Sequence, residues 1–250
     1  MAGHSKWKNI QHRKGRQDAI KGKIFAKLGR EIYVAARRGD KDPANNNQLR
    51  LAIAKAKAQN MPNENIDRAI KKAAGEGEAS NFESITYEGY GPDGIAVIVE
   101  ALTDNRNRTA ADVRFAFTKR GGNLGESGCV SWMFNRFGVV EIEKEAVSKE
   151  EDEMELLLLE LDPEDMEITD VSYVLYVQPD RLEEVQQALV EQQFPVASAD
   201  IMMVPENRVS IEGETIKKVL DLIDTLEDHD DVQAVFTNFD ADEQEIEKYS

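Results

Sequence analysis

The residues best suited to chemistry crowd the start of the chain. Between Ala2 and Arg16 almost no apolar residue occurs besides Trp7 and Ile10, whereas Lys6, Lys8, Arg13, Lys14 and Arg16 follow one another closely. Such a segment cannot build a core of its own and is expected to be an arm, or a helix that needs a partner. Its cations continue through Lys21, Lys23, Lys27, Arg30, Arg37 and Arg38. Lysine and arginine at this density neutralise several phosphates, and release of the displaced counterions makes that attraction large and salt-dependent. Trp7, between Lys6 and Lys8, has two readings: a ring that stacks on an unpaired base, or a plug that docks the arm on its own domain. His12, like His4, lacks a cysteine or a ligand partner at zinc spacing and is read as a hydrogen-bonding residue.

A second stretch, Thr103 to Arg114 (TDNRNRTAADVR), leaves a strand and enters a helix. Arg106 and Arg108 lie where a helix N-terminus holds anions, which makes them candidate phosphate contacts. The plainer alternative is a turn at Asp104-Asn105 with an arginine paired to an acid. Gly121 to Gly128 (GGNLGESG) lacks the Lys-Ser/Thr ending of a phosphate-binding NTP loop and is read as a turn between helix and strand. No G-x-S-x-G, H-E-x-x-H or C-x-x-C occurs. The acidic runs EEDEMELLLLE and DHDD have the pattern of solvated faces. Asp228, Asp230 and Asp231 lack the glycine and distal glutamate of a calcium loop. No catalytic constellation, cofactor or metal is therefore expected.

The net charge of −17, taken as a whole, argues against a polyanionic partner, but the charge is divided along the chain. Residues 1–80 carry 18 Lys+Arg against 8 Asp+Glu, and the remainder carries 13 against 40. That asymmetry points to one polyanion-binding part on an acidic, soluble body. A single cysteine, Cys129, excludes an internal disulfide framework and fits a reducing compartment. No apolar signal-peptide core and no membrane-length apolar run appears, so a cytoplasmic protein with no membrane partner is expected.

The elements that position these residues follow from periodicity. From Asp18 to Arg38, Ile20, Ile24, Phe25, Leu28, Ile32, Ala35 and Ala36 share one half of a helical wheel, with Lys23, Lys27, Arg30 and Arg37 on the other. Burial of the first set would leave a cationic stripe exposed, and Gly39 stops the helix. Asp42-Pro43 reads as the cap and first position of a second helix, broken at Asn60-Met61-Pro62. A third helix ends at Gly75, giving a three-helix domain. After the polar linker GEGEASN, strands alternate with helices. Strands are predicted over 84–88, 95–102, 129–134, 138–142, 166–171, 173–177, 197–204 and 232–239. Helices are predicted over 109–120, with Thr109 and Asp112 at capping-box spacing, and over 150–161, 179–192 and 215–226. The acidic tail is expected to fray. The fold class is α+β and multidomain: an N-terminal three-helix domain followed by two ferredoxin-like βαββαβ-type domains, the last inserted in the middle one. The boundaries expected are 1–77, then 78–136 plus 206–250, with 137–205 inserted.

Long segments carry a resemblance. MAGHSKWKNIQHRKGRQDAIKGKIFAKLGREI, NQLRLAIAKAKAQNMPNENIDRAIKKAAG, YEGYGPDGIAVIVEALTDNRNRTAADVR and GGNLGESGCVSWMF occur in that order. Together they resemble the YebC family, over essentially the whole chain and most sharply over residues 1–137. Gly15-Arg16 departs from the small residues usual there. The resemblance implies three domains and non-enzymatic regulation in the cytoplasm, by DNA-binding transcriptional control. The alternative it carries is a ribosome-associated translation factor that binds ribosomal RNA and relieves stalling at difficult peptide stretches. Lys6, Trp7, His12, Arg13, Lys14 and the TDNRNRT turn are the family residues it transfers. Oligomeric state is left open by the sequence.

Replacing Lys6, Arg13, Lys14 and Arg16 by alanine is expected to weaken nucleic-acid binding irrespective of sequence. The slope of log affinity against log salt should fall by about one for each phosphate that is no longer neutralised. Titrations at several salt concentrations measure it, and an unchanged slope would remove the arm from the binding surface.

Overall fold

The computed structural model describes the backbone of residues 17–75 and 81–249, and the side chains from residue 22 onward. Among the described residues it is a mixed α+β protein, with eight α-helices and two four-stranded sheets.

Helix α1 (Gln17–Arg38) buries Leu28, Ile32, Ala35 and Ala36, residues four or seven apart on one face. They pack against Leu49, Ala52 and Ala56 of α2 (Asn47–Ala58) and Ile66 and Ala73 of α3 (Asn63–Ala74). Asp42 caps a single 3-10 turn (Pro43–Asn45), and not α2 as its position before a proline suggested. The cap of α2 is Asn46, whose Oδ1 accepts from the Leu49 N–H at 3.0 Å. Its Nδ2 donates to the Ala35 and Asp40 carbonyls at 2.9 and 2.7 Å. Only an amide both accepts and donates here, so one buried side chain ends α1 and starts α2. Gly39 is needed beside it, because a Cβ there would stand 2.6 Å from Asn46 Nδ2.

The chain separates into two compact units. The larger comprises the described residues up to 134 and from 205 onward, so the three helices and the first sheet fall in one unit. Strands β1 (Glu83–Tyr90) and β2 (Ala96–Thr103) form an antiparallel hairpin. A short β3 (Asn123–Leu124) pairs with β1, and β9 (Val232–Thr237) pairs with β2, in the order β3-β1-β2-β9. Helices α4 (Arg106–Lys119) and α7 (Glu214–Glu227) supply Val113 and Phe117, and Ile216, Leu220 and Ile223, to the core under that sheet. Here the hairpin precedes the first helix, so this unit departs from the expected βαββαβ order.

The second unit, residues 135–204, is built on β4 (Phe134–Glu143), β5 (Asp165–Ile168), β6 (Ser172–Val177) and β7 (Val196–Pro205), in the order β5-β6-β4-β7. Helices α5 (Glu151–Leu159) and α6 (Leu182–Glu191) cover one face through Met154, Leu158, Val185 and Leu189.

Three further expectations change. The tail is not frayed: short strands β8 (Val209–Ser210) and β10 (Phe239–Asp240) pair, and α8 (Glu243–Tyr249) buries Ile246 in the core. Helix α4 starts three residues early, with Asn105 as its cap, and Thr109 is buried inside its first turn. Residues 129–133 are not a strand, because the buried Glu88 carboxylate draws in their backbone. It accepts from the N–H groups of Gly128, Val130 and Ser131 at 2.8, 2.9 and 2.8 Å. Burial alone would push the Glu88 carboxyl up, but those three donors hold it below the usual range.

Glu88→Gln turns half of that acceptor into a donor facing an N–H. It is expected to cost about 1–3 kcal/mol in denaturant unfolding. Amide exchange at Gly128, Val130 and Ser131 should quicken before the rest of the sheet.

Candidate nucleic-acid interface

Lys23, Lys27 and Arg30 stand at i, i+4 and i+7 on α1 and therefore share one face. That face meets the turn between α7 and β9, which carries Asp228, Asp230 and Asp231. Lys23 Nζ donates to the Asp228 carboxylate and Lys27 Nζ to the Glu227 carbonyl. Arg30 Nη1 reaches the Leu102 and Asp230 carbonyls at 3.1 and 2.9 Å and Asp231 Oδ1 at 2.8 Å. Its guanidinium also lies 5.0 Å from the centre of the Phe82 ring.

The hub of this contact is Asp231, whose side chain is 5% exposed. While Oδ1 holds Arg30, Oδ2 accepts from the Thr103 and Thr109 hydroxyls at 3.0 and 2.7 Å and from Arg108 Nη2 at 3.1 Å. Its carbonyl accepts from the Leu102 N–H at 2.7 Å. Its own N–H donates to His229 Nδ1 at 3.1 Å, so His229 carries its proton on Nε2, 3.1 Å from an Asp112 oxygen. Burial would raise the Asp231 carboxyl, but the Thr109, Arg108 and Thr103 donors and the charge of Arg30 hold it below the ordinary value. Burial pushes the Lys27 ammonium down against the pull of Glu227, Asp230 and Asp228. The hydrogen bond from Lys23 to Asp228 pushes the Lys23 ammonium up.

These contacts correct the picture of an exposed cationic stripe. Lys27 and Arg30 are drawn into contacts within the fold, while Lys23 pairs with Asp228 at the surface. Arg37 donates to the Ala73 carbonyl at the end of α3, and Arg38 to Ser84 Oγ and the Phe82 carbonyl. Arg108, half exposed, bridges Asp104 and Asp231. Arg106 is 70% exposed, with the Glu83 carboxylate 3.9 Å away. Lys6, Trp7, Lys8, His12, Arg13, Lys14 and Arg16 lie outside the described residues, as does the Lys21 side chain. Exposed cations on the helical segment are Lys23, Arg37, Arg38, Lys41, Lys57, Arg68, Lys71 and Lys72, with Lys23 paired to Asp228 and Arg68 to Glu64. The residue that sequence reasoning missed is Asp231, read as part of a solvated acidic run. The signal for it was the pairing of a basic i, i+4, i+7 stripe with an acidic run closing against a strand. Among the described residues no cluster of His, Cys, Asp and Glu is arranged to hold a metal ion, and no helix is long and apolar enough to cross a membrane.

Two family models match the chain. Residues 5–76 match the TACO1/YebC protein N-terminal domain, and residues 82–239 the TACO1/YebC second and third domain. The chain belongs to the TACO1/YebC family. A relative from Geobacillus kaustophilus, named "Probable transcriptional regulatory protein", is 58% identical over 240 residues, covering 96% of this chain and 98% of its own. One of the same description from Bacillus subtilis is 55% identical over 239 residues, covering 96% and 99%. The crystal structure of a conserved hypothetical protein from Aquifex aeolicus superposes with a TM-score of 0.82 at 48% identity, covering 90% of this chain and 92% of that one. In this TACO1/YebC member the acidic turn of residues 228–231 is thus a structural counterpart of the basic first helix.

Asp231→Asn removes the charge from a buried group that faces two arginines. It is expected to lower stability by about 3 kcal/mol or more, read by thermal or denaturant unfolding. Because the folded carboxyl titrates below its unfolded value, the wild-type protein holds this stabilisation above the unfolded value of about 3.9 and loses it as pH falls through the folded one. The asparagine variant should lack that segment of the acid-unfolding curve.

Proposed function

We propose that this chain is a non-enzymatic regulator of transcription that binds nucleic acid through its N-terminal helical part, in the cytoplasm. The observation that carries the reading is the division of charge, 18 basic against 8 acidic residues over 1–80 and 13 against 40 beyond. Internal contacts narrow the surface on offer. Lys27 and Arg30 are held against the acidic turn, which leaves the arm (Lys6, Lys8, Arg13, Lys14, Arg16 and Trp7) together with exposed Arg37, Arg38, Lys41, Lys57, Arg68, Lys71 and Lys72. The names of the Geobacillus and Bacillus relatives support the transcriptional role.

Three functional parts fit this reading: a basic helical domain over 1–77, an α+β domain over 78–136 plus 206–250, and a ferredoxin-like insert over 137–205. The acidic body would limit indiscriminate coating of DNA by repelling it everywhere except at the basic surface.

Crosslinking in living cells, followed by sequencing of both bound DNA and bound RNA, tests the proposal. Discrete promoter DNA should be enriched, and the enrichment should disappear when Lys6, Arg13, Lys14 and Arg16 are alanine. Enrichment of ribosomal RNA with little promoter DNA would overturn it in favour of a ribosome-bound translation factor, the role that an aromatic set among cations also suits.

A further inference from the structure

Helix α4 carries Arg106, Arg108, Arg114 and Lys119, with Arg120 as its cap, against one acid, Asp112. The fold sorts these charges. Arg108 is taken by Asp104 and Asp231, Arg120 by Asp221 at 3.1 Å, and Asp112 by His229. Thr109, Val113, Ala116 and Phe117 face the core. At about 100° per residue, Arg114, Phe115, Thr118 and Lys119 then fall on the outward side. Among the described residues Arg114 and Lys119 form no ion pair, and Phe115 is 64% exposed with Lys119 Nζ 5.6 Å from its ring centre. An aromatic ring left in water with a lysine over it and an arginine next to it in the chain is unusual in a protein of net charge −17.

A protein-docking patch would require contiguous apolar surface around the ring. Phe115 lacks it: its outward neighbours are Arg114, Thr118 and Lys119, with Ala111 and half-exposed Asp112 one turn back, and the Val113, Ala116 and Leu226 side chains beside the ring are themselves buried. Cations beside a solitary exposed ring are instead the arrangement that takes a base on the ring and phosphates on either side.

We propose that this face of α4 is a second nucleic-acid contact, specific for a single strand. Phe115 stacks on an unpaired base, and Arg114 and Lys119 hold flanking phosphates. The contact rests on the nucleic-acid reading above and adds to it a preference for unpaired strands.

The test uses the full chain and a labelled mixed-sequence oligonucleotide, single-stranded or annealed to its complement, titrated at several salt concentrations. Phe115→Ala should weaken single-strand binding roughly 5- to 150-fold, the range found for loss of one stacked base, and leave duplex binding nearly unchanged. Phe115→Leu, which keeps apolar bulk without a flat ring, should not restore it. Arg114→Ala with Lys119→Ala should lower the single-strand salt slope by about 1.4, for two phosphates. All three positions are exposed, and unchanged melting curves verify that each variant is folded. Unaltered single-strand affinity and slope in these variants would overturn the α4 contact. If Lys57→Ala, Lys71→Ala and Lys72→Ala together still weakened binding, the nucleic-acid reading would survive it. A wild-type chain that bound neither probe would overturn both.

Discussion

A carboxylate in a protein interior is tolerated only if its partners replace the water it has given up. Asp231 has them from three directions: Arg30 from α1, Thr103 from the end of β2, and Thr109 with Arg108 from the first turn of α4. The partners come from three different pieces of secondary structure, so the geometry around one side chain is met only when all of them are in place. The three-helix segment therefore joins the first sheet through a charged, directional contact and not through apolar burial alone. Leu102, next to Thr103, meanwhile extends into the helical core.

The same contact redistributes the charge open to a partner. Lys23, Lys27 and Arg30 look like a phosphate-binding stripe, yet residues 227–231 already supply them with carboxylates and carbonyls. An acid held by the fold at hydrogen-bonding distance competes well against any anion that must arrive from solution and lose its freedom of motion. Basic character in the sequence is therefore a poor guide to which cations a partner meets. Among the described residues of the helical segment and α4, exposed cations stand at the ends of α1, α2 and α3 and on α4.

Glu88 follows the logic of Asp231 on a smaller scale. Its carboxylate is enclosed by backbone N–H groups of residues 128–131, and the loop bends around it where apolar residues alone suggested a strand. Tyr90 adds its hydroxyl to the Cys129 carbonyl at 3.1 Å, and Gly128 provides a positive φ of 90° at the bend. Two buried acids in a strongly acidic chain thus act as fasteners, one between helices and sheet and one within a loop.

Periodicity alone determined most of the elements: the amphipathic span of α1, the β1–β2 hairpin, the helices at 151–159, 182–191 and 214–227, and the long basic-to-acidic division. These are local properties, because apolar spacing selects helix or strand wherever a core exists to receive it. The family is legible in the same way, from long contiguous segments. What the sequence could not decide were features that depend on a partner distant along the chain. Asn46 displaced Asp42 as a helix cap because it alone could donate to Ala35 and Asp40. Ile246 held the tail because a core was waiting for it. Asp231, about 200 residues from Arg30, became a buried hub where DHDD read as a solvated run. A charged side chain looks the same in sequence whether it meets water, a phosphate or its opposite within the fold, and only the tertiary structure assigns it one of the three.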